Sequence, residues 1–267
     1  MRQYYREEYR KSHDSSLKQS LSPEERFRMM RGPTEETARR FTDKIPTGLS
    51  VLEIGCSSGY FLDAIQAQGY DVFGSEWNAE DAAYVRDIGG LECEEGEIED
   101  IYPGKTFGCI AALQVLEHQP DPLRWLKRIK QRIVGGGYLY LELPNVTDAL
   151  LSVYRLKEYR KFWYREPHIT YWEAETLASA LGAAGFEAQV SYRQRYGYIN
   201  HMEWALHRKP MLRFDEASGY LRPIDLDHPI ASIFNRMTFK WDKEYRANLE
   251  TMRCADTLVA VARRIEI

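Results

Sequence analysis

Residues 51–60 read Val51-Leu52-Glu53-Ile54-Gly55-Cys56-Ser57-Ser58-Gly59-Tyr60. A short, mostly apolar run enters a turn bracketed by glycines. Tyr60 to Gln68 then continues with helical character until Gly69, which can terminate it. This strand–turn–helix unit constrains the fold more than any other segment. A glycine after a strand lets a ligand approach the backbone closely. The helix that follows offers N–H groups with no partner inside the helix.

The rest of the chain repeats the alternation. Tyr70 to Gly74 is a second short strand, with Glu76 just beyond its end, and Phe107 to Val115 is an apolar strand. Asp121 and Pro122 are an N-cap and first-turn proline, followed at helical spacing by Leu123, Leu126, Ile129 and Ile133. Gly135-Gly136-Gly137 is expected to end that helix, with Tyr138 to Leu143 as the next strand, closed by Pro144-Asn145. Thr170 and Glu173 read as a capping box opening a helix to Gly185, and Ala188 to Tyr192 and Thr257 to Ala262 read as two late strands. Residues 1–45 read as a polar helical segment, with Ser22, Pro23 and Glu25 forming a helix start. Such alternation implies an α/β fold, a mostly parallel sheet covered on both faces. Ligands in such sheets bind beyond the carboxyl ends of the strands, where the glycine turn, Glu76, the end of the 107–115 strand and Asn145 converge.

A dinucleotide site would want glycines at 55, 57 and 60; the chain has Gly55, Ser57 and Tyr60, so that fingerprint fails. The segment instead resembles motif I of class I S-adenosylmethionine-dependent methyltransferases, an acidic residue followed by G-x-G-x-G, here Glu53, Gly55, Ser57 and Gly59. Ser57 stands in place of the middle glycine. Further segments resemble later motifs of the family in order: Phe73-Gly74-Ser75-Glu76, Gly96-Glu97-Ile98-Glu99, Phe107 through His118, Gly136 through Asn145, and Ala184-Gly185-Phe186-Glu187. After Phe107 the family usually has an aspartate, and this chain has Gly108. The resemblance spans roughly residues 46–190. It implies a Rossmann-like sheet with its last strand antiparallel and S-adenosyl-L-methionine as cofactor. Carried over residue by residue, it implies that Glu53, Gly55, Cys56, Ser57, Gly59 and Tyr60 form the cofactor turn. Glu76 takes the ribose hydroxyls, Trp77 covers the adenine, and Glu97, Ile98, Leu113 and Gln114 complete the site.

In that frame the chain divides into an N-terminal helical segment (1–45), a core (46–195 with 256–267), a lid insertion (151–170) and a substrate-side insertion (196–255). The stretch Leu151 to Pro167 carries five basic residues against Glu158 and Glu166, interleaved with Tyr154, Tyr159, Phe162, Trp163 and Tyr164. That mixture suits an anionic, ring-bearing small molecule, such as a nucleotide-linked sugar. The block Gln194 to Trp204 reads as a pocket wall. It resembles methyltransferases of bacterial surface-polysaccharide gene sets.

Composition sets the outer limits. The net charge of −4 over 267 residues excludes a generally basic nucleic-acid coat, so nucleic acid is not an expected partner. Cys56, Cys93, Cys109 and Cys254 are far apart, without a CxxC pair, which reads as reduced thiols in a cytoplasm. The N-terminus lacks the apolar stretch of a signal peptide, and no run approaches the roughly 20 residues needed to span a bilayer. Tyr4, Tyr5 and Tyr9 are expected to pack on a second subunit, as a homodimer, or on the lid.

An activated sulfonium needs mainly proximity and orientation to react. A hydroxyl acceptor also has to lose its proton, a task suited to histidine near neutral pH. Of the six histidines, His168, His201 and His118 are the candidates for that base. None of the histidines has metal-ligand spacing along the chain, so no metal is expected. An N- or C-methyltransferase, a cofactor-binding protein without turnover, and a protein or RNA methyltransferase remain as alternatives.

Overall fold

The computed structural model describes residues 21–87, 89–164, 168–211, 214–219 and 227–266. Tyr4, Tyr5 and Tyr9 lie outside these, as do Arg165, Glu166 and Pro167 of the lid segment. Helix α1 (Pro23–Thr42) starts as the sequence predicts. The Glu25 N–H donates to Ser22 Oγ (3.2 Å) and the Ser22 N–H donates to Glu25 Oε2 (2.8 Å), so each satisfies an orphan donor of the other.

A seven-stranded sheet follows, built from β1 (Ser50–Ile54), β2 (Asp71–Ser75), β3 (Glu92–Glu94), β4 (Phe107–Leu113), β5 (Ile133–Pro144), β6 (Phe186–Arg193) and β7 (Thr257–Arg264). Its order is β3-β2-β1-β4-β5-β7-β6. The strands from β3 to β5 run parallel, and β7 is antiparallel to both neighbours. Helices cover both faces: α2 (Tyr60–Gln66), α3 (Ala79–Asp87), α4 (Pro122–Arg132) and α7 (Ala174–Ala183). Two apolar clusters fill the space between sheet and helices, one centred on Ile110, Leu126 and Leu139, the other on Phe41, Phe61 and Tyr140. Phe41 on α1 meets Phe61 edge-on at 5.4 Å, so the N-terminal helix is packed into one face of the core. The buried Arg26–Asp81 pair ties α1 to α3.

Asp121 accepts the Arg124 N–H at 3.0 Å, as a cap should. Asp121→Ala is expected to lower stability by about 1 kcal/mol. A urea midpoint that falls with an unchanged slope would show it.

Two boundaries differ from the sequence expectation. Helix α4 ends at Arg132, and the glycines 135–137 lie inside β5 rather than capping the helix. At Gly137 a side chain would meet the Gly108 carbonyl at 2.7 Å, so close strand packing is what the residue serves. The box at 170–173 is also displaced. Helix α7 is capped by Glu173 with Thr176, whose hydroxyl accepts the Glu173 N–H (3.1 Å). Thr170 instead faces the Glu117 carbonyl and accepts from Trp172 Nε1 (3.1 Å).

Beyond β5 come α5 (Ala149–Ser152) and α6 (Lys157–Trp163); between β6 and β7 come α8 (Tyr198–His207), α9 (Phe214–Ala217) and α10 (Ala231–Thr251). Among the described residues no helix is long and apolar enough to cross a membrane.

Candidate active site

The carboxyl ends of β1, β2, β4 and β5 open on one cavity of about 780 Å³. Its first wall is the glycine turn. Gly55 and Gly59 have φ of +72° and +79°, and Ser57 adopts φ +51°. The serine thus occupies the left-handed conformation that a glycine would take without penalty. A side chain at Gly55 would crowd Val115 Cγ2 at 3.1 Å, and one at Gly59 would crowd Val85 Cγ2 at 3.0 Å.

Glu76, just past β2, is buried and clamps this turn. Its Oε2 accepts the Ser57 N–H (2.8 Å), and its Oε1 accepts the N–H groups of Trp77 (2.8 Å) and Asn78 (2.9 Å). Gly55, Ser57, Tyr60, Glu76 and Trp77 line the cavity on this side, joined by Glu97, Ile98, Leu113 and Gln114. Glu53, Cys56 and Gly59 do not line it. Glu53 is buried below the turn, where desolvation and then the charge of Glu76 push its carboxyl well above the usual range. Cys56 is buried with its Sγ 3.7 Å from that of Cys93. Gly59 is the N-cap of α2.

The opposite end of the cavity is built by the segment after β4 and by the insertions. Glu117 and His118 lie in a short 3₁₀ turn (Leu116–His118). The Glu117 carbonyl accepts the N–H groups of Ile169 (2.9 Å) and Thr170 (3.1 Å), which brings His168 alongside His118, ring centroids 5.0 Å apart. All three side chains line the cavity. The Glu117 carboxyl is buried, its two oxygens make no hydrogen bond to any other described residue, and desolvation pushes its pKa up to about 8 against its own backbone N–H and then the charge of Arg195. Folding thus assembles a cluster that spacing along the chain does not announce. Donor atoms of Glu117, His118 and His168 lie within 4.8 Å of one another, which is compatible with a metal ion.

His201 is placed differently. It is buried on α8, away from the cavity lining, with Nδ1 2.7 Å from Tyr245 Oη and Nε2 3.2 Å from Gln194 Nε2. Burial, then the charge of Arg246, lowers its pKa to about 4.

The lid segment divides by face. Tyr159, Phe162 and Trp163 line the cavity, while Arg155, Lys157, Arg160 and Lys161 are exposed. Tyr159 donates to the buried Asp148 carboxylate (2.8 Å) and packs edge-on against Trp204 at 4.9 Å, fixing the aromatic side inward. Residues not singled out by the sequence complete the wall: Arg26, Met29, Met30 and Thr37 of α1, and Glu142 of β5. Glu142 pairs with the buried Arg193 at 2.7 Å. The only forewarning was Glu142 standing alone among apolar strand residues.

Comparison with known families decides the identity: a model described as the methyltransferase domain matches residues 24–190. The chain belongs to the methyltransferase-domain family. Its methyltransferase domain has the class I fold. Over 157 residues this methyltransferase is 27% identical to the tRNA U34 carboxymethyltransferase of Alteromonas mediterranea, covering 52% of this chain and 45% of that one. Over 112 residues it is 24% identical to the ubiquinone biosynthesis O-methyltransferase of Aliivibrio fischeri, covering 37% and 45%. The chain spans about half the length of the curated relatives it matches. Among solved structures, a SAM-dependent methyltransferase from Archaeoglobus fulgidus superposes with a TM-score of 0.59 at 17% identity, covering 96% of this chain and 100% of that one. Magnesium protoporphyrin IX methyltransferase from Synechocystis, solved with SAH, gives 0.55 at 12% identity, covering 98% and 97%. These likenesses establish the shared fold.

The cofactor of the methyltransferase is S-adenosyl-L-methionine. The residues at the first end of the cavity fit it chemically. They supply a carboxylate for paired hydroxyls, a turn whose glycines leave no side chain in the way, and apolar walls at Ile98 and Leu113 for a base.

Proposed function

We propose that the methyltransferase transfers its methyl group to a hydroxyl of a small, ring-bearing polar acceptor. One observation carries this reading. The cavity that begins at the glycine turn and Glu76 ends, without interruption, at His118, His168 and the inward aromatic side of the lid. Donor and acceptor would therefore share one chamber, the arrangement that converts an encounter into a reaction between neighbours.

In this reading Glu76 holds the ribose hydroxyls, Trp77, Glu97 and Ile98 border the adenine, and the turn at Gly55 and Ser57 runs beside the rest of the cofactor, with Leu113 and Gln114 opposite. The bound cofactor supplies a methyl group on a positively charged sulfur. The protein's part is to orient the acceptor between Tyr159, Phe162, Trp163 and Trp204, to exclude water, and to receive the hydroxyl proton at the cluster around His168 and His118. A nucleotide-linked sugar is one acceptor of this class. Its phosphates would be met by the Arg195 guanidinium on the cavity wall, whose charge reaches Glu117, since the basic residues of the lid face outward. A ring-lined cavity of about 780 Å³ favours a small molecule over an RNA or protein chain, which needs an extended basic or shallow groove.

Calorimetric titration with S-adenosylmethionine, and separately with NAD, is the test. Saturable heat is expected with the first alone. A screen of hydroxylated metabolites, nucleotide sugars included, then follows methyl incorporation. Binding of NAD, or incorporation into nitrogen or carbon only, would overturn the reading.

A further inference from the structure

The two histidines and the glutamate at the acceptor end have more to offer than proton transfer. We propose that Glu117, His118 and His168 form a binding site for a divalent transition-metal ion whose open positions face the acceptor. That the ion meets the acceptor rests on the reading of the cavity above; that the ion binds does not.

The first argument is the donor set. Two imidazoles and one carboxylate on one side of an ion, with the other side open, are a recognised arrangement for divalent iron and its neighbours, and the same ligands suit zinc. The second is distance. The donor atoms lie within 4.8 Å of one another, and Glu117 Oε1 is already 3.8 Å from His118 Nε2. Ligands about 2.0–2.2 Å from a shared ion and on one side of it are roughly 3.0–3.6 Å apart, so side-chain rotations that draw the donor atoms together by about 1 Å close the set. The third is the condition of Glu117. Its side chain is 2% exposed, and neither carboxylate oxygen has a hydrogen-bond partner among the other described residues. A buried carboxylate without such partners is costly, and a cation bound to it would remove that cost. The fourth is rigidity. The Glu117 carbonyl is bonded to the N–H groups of Ile169 and Thr170, so the two ligand-bearing segments are joined by the backbone, 50 residues apart in sequence. Because all three residues line the cavity, an ion held there is reached from it. A hydroxyl bound to such an ion loses its proton more readily than one in water, so the proton can pass to solvent water without a histidine to receive it.

The test uses cobalt(II) as a spectroscopic probe. The protein is stripped with a chelator, dialysed and titrated with cobalt(II) in the absence of acceptor. Ligand-field absorption saturating at one ion per chain is expected, as is its displacement by zinc. Glu117→Gln and His168→Ala, each checked for an unchanged circular dichroism spectrum, are expected to lose it. Azide, offered as a small exogenous ligand, is expected to shift the bands through an open position. No saturable absorption, or absorption equal in the wild type and both variants, would overturn the site. Bands that azide leaves unmoved would overturn its role toward the acceptor. S-adenosylmethionine binding is measured by calorimetry on the same stripped sample. Its failure would count against the cofactor reading and leave the cobalt result to stand by itself.

Discussion

Glu76→Ala is expected to weaken S-adenosylmethionine binding by about 1–3 kcal/mol, roughly 5- to 150-fold in Kd. The carboxylate accepts the backbone N–H groups of Ser57, Trp77 and Asn78. Its removal therefore acts twice: the ribose loses its charged acceptors, and the turn loses the clamp that holds its shape. Glu76→Gln keeps one carbonyl oxygen and should give a smaller loss. Calorimetric titration of both variants measures this directly. An affinity equal to that of the wild type in Glu76→Ala would remove Glu76 from the cofactor site.

His168→Ala is expected to lower kcat by about 10²- to 10⁴-fold with an acceptor found by the screen, the range associated with positioned proton transfer. The Kd for S-adenosylmethionine should stay unchanged, because His168 stands at the other end of the cavity from Glu76. The same loss follows whether the imidazole receives the proton or holds an ion beside the hydroxyl. The substitution thus tests the cluster, and the cobalt spectrum separates the two roles. Full turnover in the variant would move the acceptor chemistry elsewhere.

The sheet and the glycine-turn end of the cavity were largely legible in the sequence because their signals are local. A short apolar run, a glycine turn and a helix lie within a few residues of each other, and Glu76 directly follows its strand. Ser57 breaks the family pattern without breaking the geometry, since a serine can be held in the left-handed conformation at a cost of about 1–2 kcal/mol when its surroundings fix it. The acceptor end was less legible because its determinants are tertiary. Nothing local joins His118 to His168; two hydrogen bonds to one carbonyl do so. Helix α1 looked like a separate polar segment, yet it closes one side of the cavity through Met29, Met30 and Thr37. His201 carried the same local promise as His168, but it is enclosed by Gln194 and Tyr245. In the lid, composition pooled what geometry divides. Tyr159, Phe162 and Trp163 recur at helical spacing and share one face, while the basic residues between them take the other.

That division sorts the lid's effects by range. Charges on the outer face act through solvent, over about 8–10 Å at moderate ionic strength, and so bear on how often an anion arrives. The rings on the inner face act only at contact, and so bear on how long a guest remains. For the charged acceptor proposed above, the association rate and the residence time would then fall to different side chains of one short helix. Salt reaches the first and leaves the second nearly untouched.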